Sequence, residues 1–514
     1  MENEKVYASG YSEAGASTTR RALRGFIASS GSPVKDIDSN NSTLRKRSRL
    51  LYMSSPVATS AINTVVTKAV GVGLKLEATL DYKLLGLTPE KAKEWQSHTE
   101  AEFELWSSDK RACDALGLND WTTQQQLSMR SALMNGDVAA LIVWEKPTAM
   151  IPYGMRVHLI EADRIRTPYF CGGRFPESIT EGKVPEGKPG AGNIVHDGIE
   201  VDKNGKVVAF WIADHYPDAI SFKDTEYTRV LAYGEKTGLP NVIFVRDPER
   251  CEQYRGVPYL AQVIESLLQL RRYTESELVA AIVQSLFTAF VETDSPNSDN
   301  PLATVGAGQV GGVPVENPQV SMAGDREIEM SPGNVVHLKP GEKVQFGSPN
   351  IPSTGFDSFV DSYCRLIGAA LGLPKDVLMK EYNESYSASR AALLDAWEML
   401  RMRRSWFVRE FIQPIYRIWL SEAVARGRIS APGFFTDPLR QKLWCGAEWI
   451  GPVQGQIDPV KEVTAATLQT KAGFKTHAQV TRELGGGDFE ENCTKLQQEN
   501  EMLANTTPAE PVTE

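Results

Sequence analysis

Apolar residues recur at helical spacing in two stretches of the chain, and a Gly- and Pro-rich segment separates them. Over residues 256–289 and again over residues 351–374, apolar positions return every three or four residues, which marks one face of a helix. Pro374 ends the second helix, because a proline ring keeps the preceding residue out of helical dihedrals. Residues 290–350 between them are rich in turn formers and carry a β-like run at residues 335–338. The pattern predicts two long helices that bracket a small β-containing insertion.

A third helix follows a short polar loop. Residues 375–387 predict the loop, and residues 388–430 carry a stripe of large apolar side chains that predicts the helix. Pro414 lies inside this helix and predicts a kink, because its ring clashes with the carbonyl one turn back. Residues 431–514 contain shorter segments and end in a polar, acidic tail.

Residues 51–255 predict a mixed α and β region with antiparallel strands. Helical patterns alternate there with short runs of alternating apolar residues, and Asp–Gly and Asn–Gly pairs at 197–198 and 204–205 mark hairpin turns. Residues 171–190 hold many Gly, Pro and charged residues and predict a loop. Residues 1–50 have little apolar periodicity and predict an N-terminal basic arm.

Basic residues cluster at three places in the chain. The clusters are Arg20, Arg21 and Arg24; Arg45, Lys46, Arg47 and Arg49; and Arg401, Arg403 and Arg404. The first two indicate either a nucleic-acid tail or an arm that lies on an acidic neighbouring surface, and an acidic chain favours the second. The third either contacts phosphate or forms a solvated helix face that pairs with Asp395 and Glu398, and the spacing favours the face.

Composition limits the classes of function. The chain has 514 residues, a formal net charge of -10 and six cysteines far apart in sequence. The negative charge disfavours a protein that grips nucleic acid over a broad basic face, and the cysteine spacing predicts free thiols. The most apolar run, residues 278–291, is too short and too polar to span a bilayer, so no membrane partner is expected.

Catalytic and cofactor motifs lack the context that they need. Residues 306–311 fit GxGxxG, but prolines follow where a dinucleotide site requires a helix. The chain has no GxxxxGK[ST] sequence, and its six histidines form no short ligand pair. Glu161 and Asp163 lie at a strand end without a third acid at metal-like spacing. We expect no cofactor, no metal and no enzymatic activity.

Several sequence motifs resemble the lambda-type portal proteins of tailed bacteriophages. They are MSPGNVVHLKPGEKVQF, PNIPSTGFDSFV and GLPKDVL followed by YSASRAALL, with RDPERCEQYRGVPYLAQVIESLLQLRRYTESELVAA upstream and WIGPVQGQIDPVKEVTAATLQTKAGFKTHAQVTRELGGGDFEE downstream. These motifs occur in the family's order, and the resemblance extends from about Arg49 to Asn500.

The resemblance implies an α+β portal fold with a mixed α/β wing, long stem helices, a small β-containing clip and a helical C-terminal crown region. In these terms the segments are the basic arm (1–50), wing (51–255), first stem helix (256–289), clip (290–350), second stem helix (351–374), tunnel loop (375–387), long wing and tunnel helix (388–430), and crown region with acidic tail (431–514).

The implied function is a ring, a dodecamer, at one vertex of the capsid, through which double-stranded DNA is packaged and ejected. Its implied partners are further copies of itself, the terminase large subunit, the major capsid or scaffold proteins and the head–tail connector proteins. Its implied location is the portal vertex of the virion, and the host cytoplasm during assembly. Two alternatives stay open: another phage head or neck structural protein, and a DNA-processing nuclease, which would need a carboxylate cluster.

Two groups of residues are candidates for contact with DNA in transit. The family's tunnel loop falls on Lys380, Glu381, Tyr382, Asn383 and Glu384, which we expect to face DNA without sequence preference. The acidic residues of the stem helices are Glu265, Glu275, Glu277, Asp357 and Asp361. We expect these to line the channel, where carboxylates repel phosphate and prevent tight binding.

Overall fold

The chain divides into two units in the computed structural model, and neither is continuous in sequence. The first unit combines Met1–Leu50, Ile62–Ala261 and Trp397–Glu514, and the second combines Leu51–Ala61 and Gln262–Ala396. The structure describes residue 16 and residues 21–23, 25–28, 30–172, 181–217, 225–285, 289–293, 342–346, 355–382, 385–454, 459–485 and 487–506.

Helices and strands both contribute to the described residues. The helices are α1 (Ser39–Ser54), α2 (Pro56–Ala69), α3 (Tyr82–Leu85), α4 (Pro89–Ser108), α5 (Lys110–Cys113), α6 (Trp121–Asn135), α7 (Ile264–Ser285), α8 (Phe356–Leu371), α9 (Lys375–Met379), α10 (Tyr386–Phe407), α11 (Gln413–Ala425), α12 (Pro438–Trp444), α13 (Pro459–Lys471), α14 (His477–Leu484) and α15 (Phe489–Thr506). The strands are β1 (Lys75–Ala78), β2 (Asp137–Trp144), β3 (Met155–Glu161), β4 (Glu181–Lys183), β5 (Ile194–His196), β6 (Ile199–Val201), β7 (Val207–Ala213), β8 (Tyr227–Leu231), β9 (Val242–Arg246), β10 (Ala289–Thr293), β11 (Glu342–Phe346) and β12 (Ala447–Ile450).

Antiparallel sheets form the centre of the first unit. Strands β3, β2 and β9 make one sheet, strands β4 to β8 make a second in sequence order, and β1 pairs with β12. The Asp–Gly and Asn–Gly pairs lie in the turns β5–β6 and β6–β7, as predicted. Apolar residues from both larger sheets, including Ile160, Phe210 and Val242, form one buried cluster. Strand β4 lies inside the segment predicted to be a loop, residues 171–190, and pairs with β5 beyond it, so the sequence missed this strand.

Aromatic side chains join the helices of the first unit into a second core. Phe103 on α4 packs edge-on against Trp419 on α11, with ring centroids 5.0 Å apart. Trp121 on α6 stacks on Phe411 at 5.5 Å. Phe411 belongs to a π-helical turn, Val408–Ile412, that connects α10 to α11 directly before Pro414. The π turn therefore lies directly before the predicted kink site. The helical hydrogen-bond pattern changes there because Pro414 has no backbone N–H to donate.

Residues 34–50 are helical and not an arm. A π turn, Val34–Asp38, leads into α1, and Asn41, Arg45 and Ser48 are buried on one side of that helix. The nitrogen Nη2 of Arg45 donates to Asp197 Oδ2 at 2.9 Å. The sequence did not predict this helix because its buried face is polar, so apolar periodicity is absent. Part of the second basic cluster thus pairs with carboxylates of its own unit.

A buried ion pair lies beneath α1. Arg255 and Asp137 are both fully buried, and the guanidinium donates to the two carboxylate oxygens at 2.8 Å each. Arg255 also contacts Asp197 Oδ2 at 2.9 Å, which is the same oxygen that Arg45 binds. Gly256 must be glycine here, because a Cβ atom would lie 1.9 Å from the carbonyl oxygen of Gly136.

The first stem helix was predicted over residues 256–289, and the observed helix begins later and ends earlier. The chain forms a 3-10 turn at Ala261–Val263 and becomes α-helical from Ile264 to Ser285. The residues directly before the 3-10 turn are not helical. The amide of Tyr259 donates instead to the carbonyl of Leu133 at 2.8 Å. The β-like run at residues 335–338 and the GxGxxG sequence at 306–311 lie outside the described residues.

Candidate functional site

Helices α7 and α8 of the second unit pack through a ladder of aromatic rings. Tyr273 on α7 meets Phe359 on α8 with centroids 4.3 Å apart and stacks on Phe356 at 5.7 Å. One turn away, the hydroxyl of Tyr363 donates to Gln269 Oε1 at 2.5 Å. Residue numbers rise on one helix as they fall on the other, so the two helices are antiparallel. Such rings contribute about 0.5–1.5 kcal/mol per pair beyond the area that they bury.

A strand pair continues the same hairpin beyond the helices. Strand β10 follows α7, strand β11 precedes α8, and the two pair antiparallel with Ala289 opposite Phe346 and Thr293 opposite Glu342. The sequence predicted a β-containing insertion between two helices. Strands β10 and β11 are the part of that insertion that the structure describes. Residues 294–341 lie outside the described residues.

Large apolar side chains remain exposed on the second unit. On α7, Leu278 is 63% exposed and Val279 is 59% exposed, and on α8 Leu366 is 65% exposed. Scattered exposed apolar residues are ordinary, but Leu278 and Val279 are adjacent on a single helix. They lie in the stretch whose periodicity predicted a packed helical face.

The acidic residues predicted to line a channel differ in their surroundings. Glu265, Glu275 and Asp357 are exposed, whereas Glu277 is only partly exposed. The carboxylate of Glu275 accepts from Arg271 Nε at 2.8 Å. Such an exposed pair along one helix contributes at most about 0.5 kcal/mol, so it restrains the side chain only weakly.

Asp361 is the most strongly engaged of these acids. Its carboxylate pairs with Arg365 at 2.6 Å on the same helix and with Lys375 at the start of α9. The hydrogen bond from Lys375 is the main reason that the pKa of Asp361 lies below its usual value. Two cations therefore offset the charge that was expected to repel phosphate. The pair with Arg365 could have been predicted from sequence, because the two residues are four apart on one helix. The contact with Lys375 depends on the turn between α8 and α9.

The predicted tunnel loop contains a short helix. Residues 375–379 form α9, and α10 begins at Tyr386, so the loop itself is shorter than predicted. Pro374 precedes α9 with the extended ψ angle of 146° that suits a helix entry. Ser385 caps α10, since its Oγ accepts from the amide of Ala388 at 3.4 Å.

Lys380 adopts a backbone conformation that is unusual for its residue type. Its φ is 57° and its ψ is 36°, which is the left-handed region, and its amide donates to the carbonyl of Asp376. A non-glycine residue in this region costs roughly 1–3 kcal/mol. Lys380, Glu381 and Tyr382 are all exposed. Asn383 and Glu384 lie outside the described residues.

The arginines of α10 do not form the solvated face that the sequence favoured. Arg403 pairs with Asp247 in the first unit and lies over the Tyr259 ring at 5.3 Å. Arg404 donates to the carbonyl of Ala69 at 2.8 Å, and burial lowers the pKa of its guanidinium. Arg401 is exposed. Among the described residues, Arg403 and Arg404 therefore contact tertiary neighbours and not the predicted partners Asp395 and Glu398.

The described part of the chain meets the requirements of neither a metal-binding cluster nor a membrane-spanning helix. No group of three His, Cys, Asp or Glu residues there could hold a metal ion. Within the same residues, no helix combines the length and apolar character that a bilayer crossing requires.

The family model for "Phage portal protein, lambda family" matches residues 19–404, which is about three quarters of the chain. The chain belongs to the lambda family of phage portal proteins. This match includes both helices of the aromatic ladder, the strand pair and the loop before α10. The α+β fold class and the family predicted from sequence motifs are confirmed.

Relatives of this portal protein cover most of its length at low identity. It is 22% identical to the portal protein of Escherichia phage N15 over 91% of this chain and 86% of the relative. It is also 22% identical to portal protein B of Escherichia phage lambda, over 86% of this chain and 80% of the relative. The predicted function of phage portal protein and its predicted place at the portal vertex of a virion are confirmed.

Two solved structures are similar to this portal protein at still lower sequence identity. A chain from the neck of an empty gene transfer agent particle covers 87% of this chain and 94% of its own length, with 14% identity and a TM-score of 0.43. An HK97 family phage portal protein from Corynebacterium diphtheriae covers 75% of this chain and 92% of its own, with 10% identity and a TM-score of 0.31.

Proposed function

We propose that twelve copies of this portal protein form a closed ring at one vertex of the capsid, through which double-stranded DNA enters and leaves. The observation that carries the ring is the exposed apolar surface of α7 at Leu278 and Val279. A ring needs a heterologous interface, in which one surface of each copy meets a different surface of the next. Both side chains are already partly buried, so covering the rest against a neighbour would add somewhat less than the roughly 1.5–3 kcal/mol of a full burial for each.

The ring proposal predicts that Leu278→Asp converts the assembly into smaller species. Ser276→Asp is the matched control, because it adds the same charge to an exposed position about 200° away around the helix. Light scattering and electron microscopy of the purified chains would measure the mass and shape. Rings for the wild-type chain and the control, with monomers for Leu278→Asp, are expected. A wild-type chain that stays monomeric in the presence of its capsid and scaffold partners would refute the ring.

The ring would act as a passage and would supply no chemistry of its own. A passage must hold DNA loosely, since each phosphate that is neutralised adds affinity and opposes sliding. The exposed carboxylates of Glu265, Glu275 and Asp357 suit a lumen of this kind. Arg365 and Lys375 beside Asp361 would together outweigh its single negative charge, so this one position would not repel phosphate.

The loop that contains Lys380, Glu381 and Tyr382 would contact the passing duplex, together with Asn383 and Glu384. Changing Lys380, Glu381, Tyr382 and Glu384 together to Ser is expected to leave ring size and thermal stability unchanged, because the three described residues are exposed. Particles assembled with this variant should package or retain less DNA. Encapsidated DNA per particle is the measurement, and normal DNA content would refute the contact.

Lys380→Gly is the matched control for the loop. It removes the lysine charge but preserves the left-handed backbone, where glycine carries no steric cost. The variant should be equally stable or slightly more stable than wild type. If it loses DNA as the fourfold variant does, the Lys380 amine is the contact. If it packages normally, the remaining loop side chains carry it.

Partner choice would belong to the clip, residues 290–350. Long segments of this composition are functional more often than structural. Exchanging residues 294–341 with the equivalent segment of a related portal protein, between the paired strands β10 and β11, should transfer compatibility with the terminase large subunit and the head–tail connector proteins. Packaging by each terminase is the measurement. Correctly sized rings that keep their original terminase would refute this assignment.

A further inference from the structure

A charged cavity of about 300 Å³ lies in the first unit, beside the second half of α10. Its walls are the α10 side chains Trp397, Arg401 and Arg404, residues 448–454 in and after β12, and residues 482–483 of α14. The three α10 residues follow one another at intervals of four and three, so they share one face of the helix. The proposed passage for DNA gives this cavity no role.

Arg404 brings a positive charge to the cavity that no carboxylate of the described residues meets. Its Nε donates to the carbonyl of Ala69 at 2.8 Å, and its Nη2 donates to the carbonyls of Lys68 at 2.9 Å and Pro452 at 2.6 Å. All three acceptors are neutral. The remaining nitrogen, Nη1, has no acceptor among the described residues and is not buried. The carbonyls therefore hold the guanidinium in place and leave one of its donor groups open to a ligand.

Arg401 adds a second positive charge on the same wall. Its side chain is exposed, and it has no ion pair within the part of the chain that the structure describes. Burial, and next the charge of Arg401, lower the pKa of the Arg404 guanidinium. Two cations that repel each other across a cavity favour an anion between them.

The other charges of the cavity are engaged with one another. Glu448 accepts from Arg482 Nη1 at 2.5 Å, and Glu483 pairs with Lys475. Arg482 also pairs with Glu77, so this group contains one more carboxylate than cations. That excess offsets one of the two arginines on α10 and leaves the other uncompensated. A singly charged anion therefore suits the cavity better than a doubly charged phosphate.

The rest of the wall is apolar. The ring of Trp397, a residue only 7% exposed, lies 5.7 Å from the guanidinium of Arg404. The other apolar wall residues are Trp449, Ile450, Pro452 and Val453. A ligand that fills the cavity should therefore carry an apolar group next to its charge, because the apolar group removes this surface from water.

We propose that this cavity binds a carboxylate attached to an apolar group. The carboxylate oxygens would accept from Nη1 of Arg404 and from the guanidinium of Arg401, and such charge-assisted hydrogen bonds are the strong ones. Two sources share this chemistry: a small organic acid, and an acidic side chain next to an apolar one in a polypeptide. The proposal is independent of the ring, so its failure would leave the ring proposal standing.

Calorimetric titration of the full-length chain with phenylacetate tests the ligand class. Phenylacetamide is the matched probe, since it keeps the shape and removes the charge, and it should bind at least about tenfold more weakly. Inorganic phosphate should also bind more weakly than phenylacetate. Amide binding as tight as that of the acid, or phosphate binding tighter than that of the acid, would overturn the proposal.

Variants of the two arginines test the site. Arg401→Gln and Arg404→Gln should each weaken phenylacetate binding at least about tenfold. Arg409→Gln is the control, because Arg409 is exposed on the turn that follows α10 and does not line the cavity. Arg404→Gln also removes three structural hydrogen bonds, so thermal unfolding must show that it is folded. Arg401→Gln decides the question if it is not, and wild-type affinity in Arg401→Gln would refute the site.

A capped peptide with one glutamate beside a leucine distinguishes the two sources of the carboxylate. Binding of the peptide that is tighter than that of phenylacetate, and is weakened by Arg401→Gln, assigns the cavity to a polypeptide partner. Tighter binding of phenylacetate, weakened by the same change, assigns it to a small organic acid. If the wild-type chain binds neither, the cavity is not a carboxylate site.

Discussion

Replacing Arg255 with methionine is expected to lower the unfolding free energy by about 3–5 kcal/mol. The change leaves the fully buried carboxylate of Asp137 without the guanidinium that donates to both of its oxygens. It also removes donors from the carbonyls of Ala162 and Ile165. Arg45 still binds Asp197, so the main loss falls on Asp137.

Urea unfolding of the wild-type and variant chains would measure this loss. Arg111→Met is the matched control, since it removes the same side chain from an exposed pair with Asp109 and should cost less than about 1 kcal/mol. Adding Asp137→Asn to Arg255→Met should recover part of the loss, because the unpaired buried charge is gone. A deficit for Arg255→Met no larger than that of Arg111→Met would contradict the role assigned to this ion pair.

Replacing Asp38 with asparagine is expected to stabilise the chain at alkaline pH by up to about 4 kcal/mol. The pKa of Asp38 is raised from 3.8 to about 7, mainly by burial and next by the nearby charge of Asp197, while Arg255 and Arg45 act to lower it. Asp137 is the remaining charged group that acts on it, and it raises the pKa. The carboxylate oxygen Oδ2 of Asp38 is buried without a hydrogen-bond partner.

The direction of the pH dependence follows from which state binds the proton. Between pH 3.8 and about 7 the folded chain keeps a proton on Asp38 that the unfolded chain releases. The stability from this site is complete below pH 3.8 and is lost as the pH rises through about 7. Asp38→Asn should therefore match wild type at low pH and exceed it above neutrality.

Urea unfolding from pH 4 to 9 would test this expectation. Asp36→Asn is the control, since Asp36 lies two residues earlier in an exposed pair with Arg250 and its loss should cost less than about 1 kcal/mol. A constant difference between Asp38→Asn and wild type across the range would show that folding does not raise the pKa of Asp38.

Local sequence patterns were sufficient to predict a helix or strand wherever one of its faces is apolar. They were also sufficient to predict a turn wherever the turn needs a particular residue. The helix α8 was predicted from its apolar spacing and from Pro374, and the structure ends it at Leu371. The turns at 197–198 and 204–205 were predicted from Asp–Gly and Asn–Gly pairs, because glycine adopts the positive φ that these turns require.

Helices and strands that bury polar side chains were not predicted from the same patterns. Helix α1 buries Asn41, Arg45 and Ser48, so its pattern resembles that of a solvated segment. Its partners, Asp163 and Asp197, are more than 100 residues away in sequence, and no local signal connects them. Strand β4 escaped for a related reason, since three residues cannot display a period.

The sequence by itself determined the family, the α+β class and the order of helix, insertion and helix, because these depend on periodicity, turn chemistry and ordered motifs. Only the tertiary structure decided which charges are free to act. Asp361 is held by Lys375 and Arg365, and Arg404 is directed to backbone carbonyls. A charge acts according to the groups within a few ångströms of it, and folding assembles those groups from distant parts of the chain.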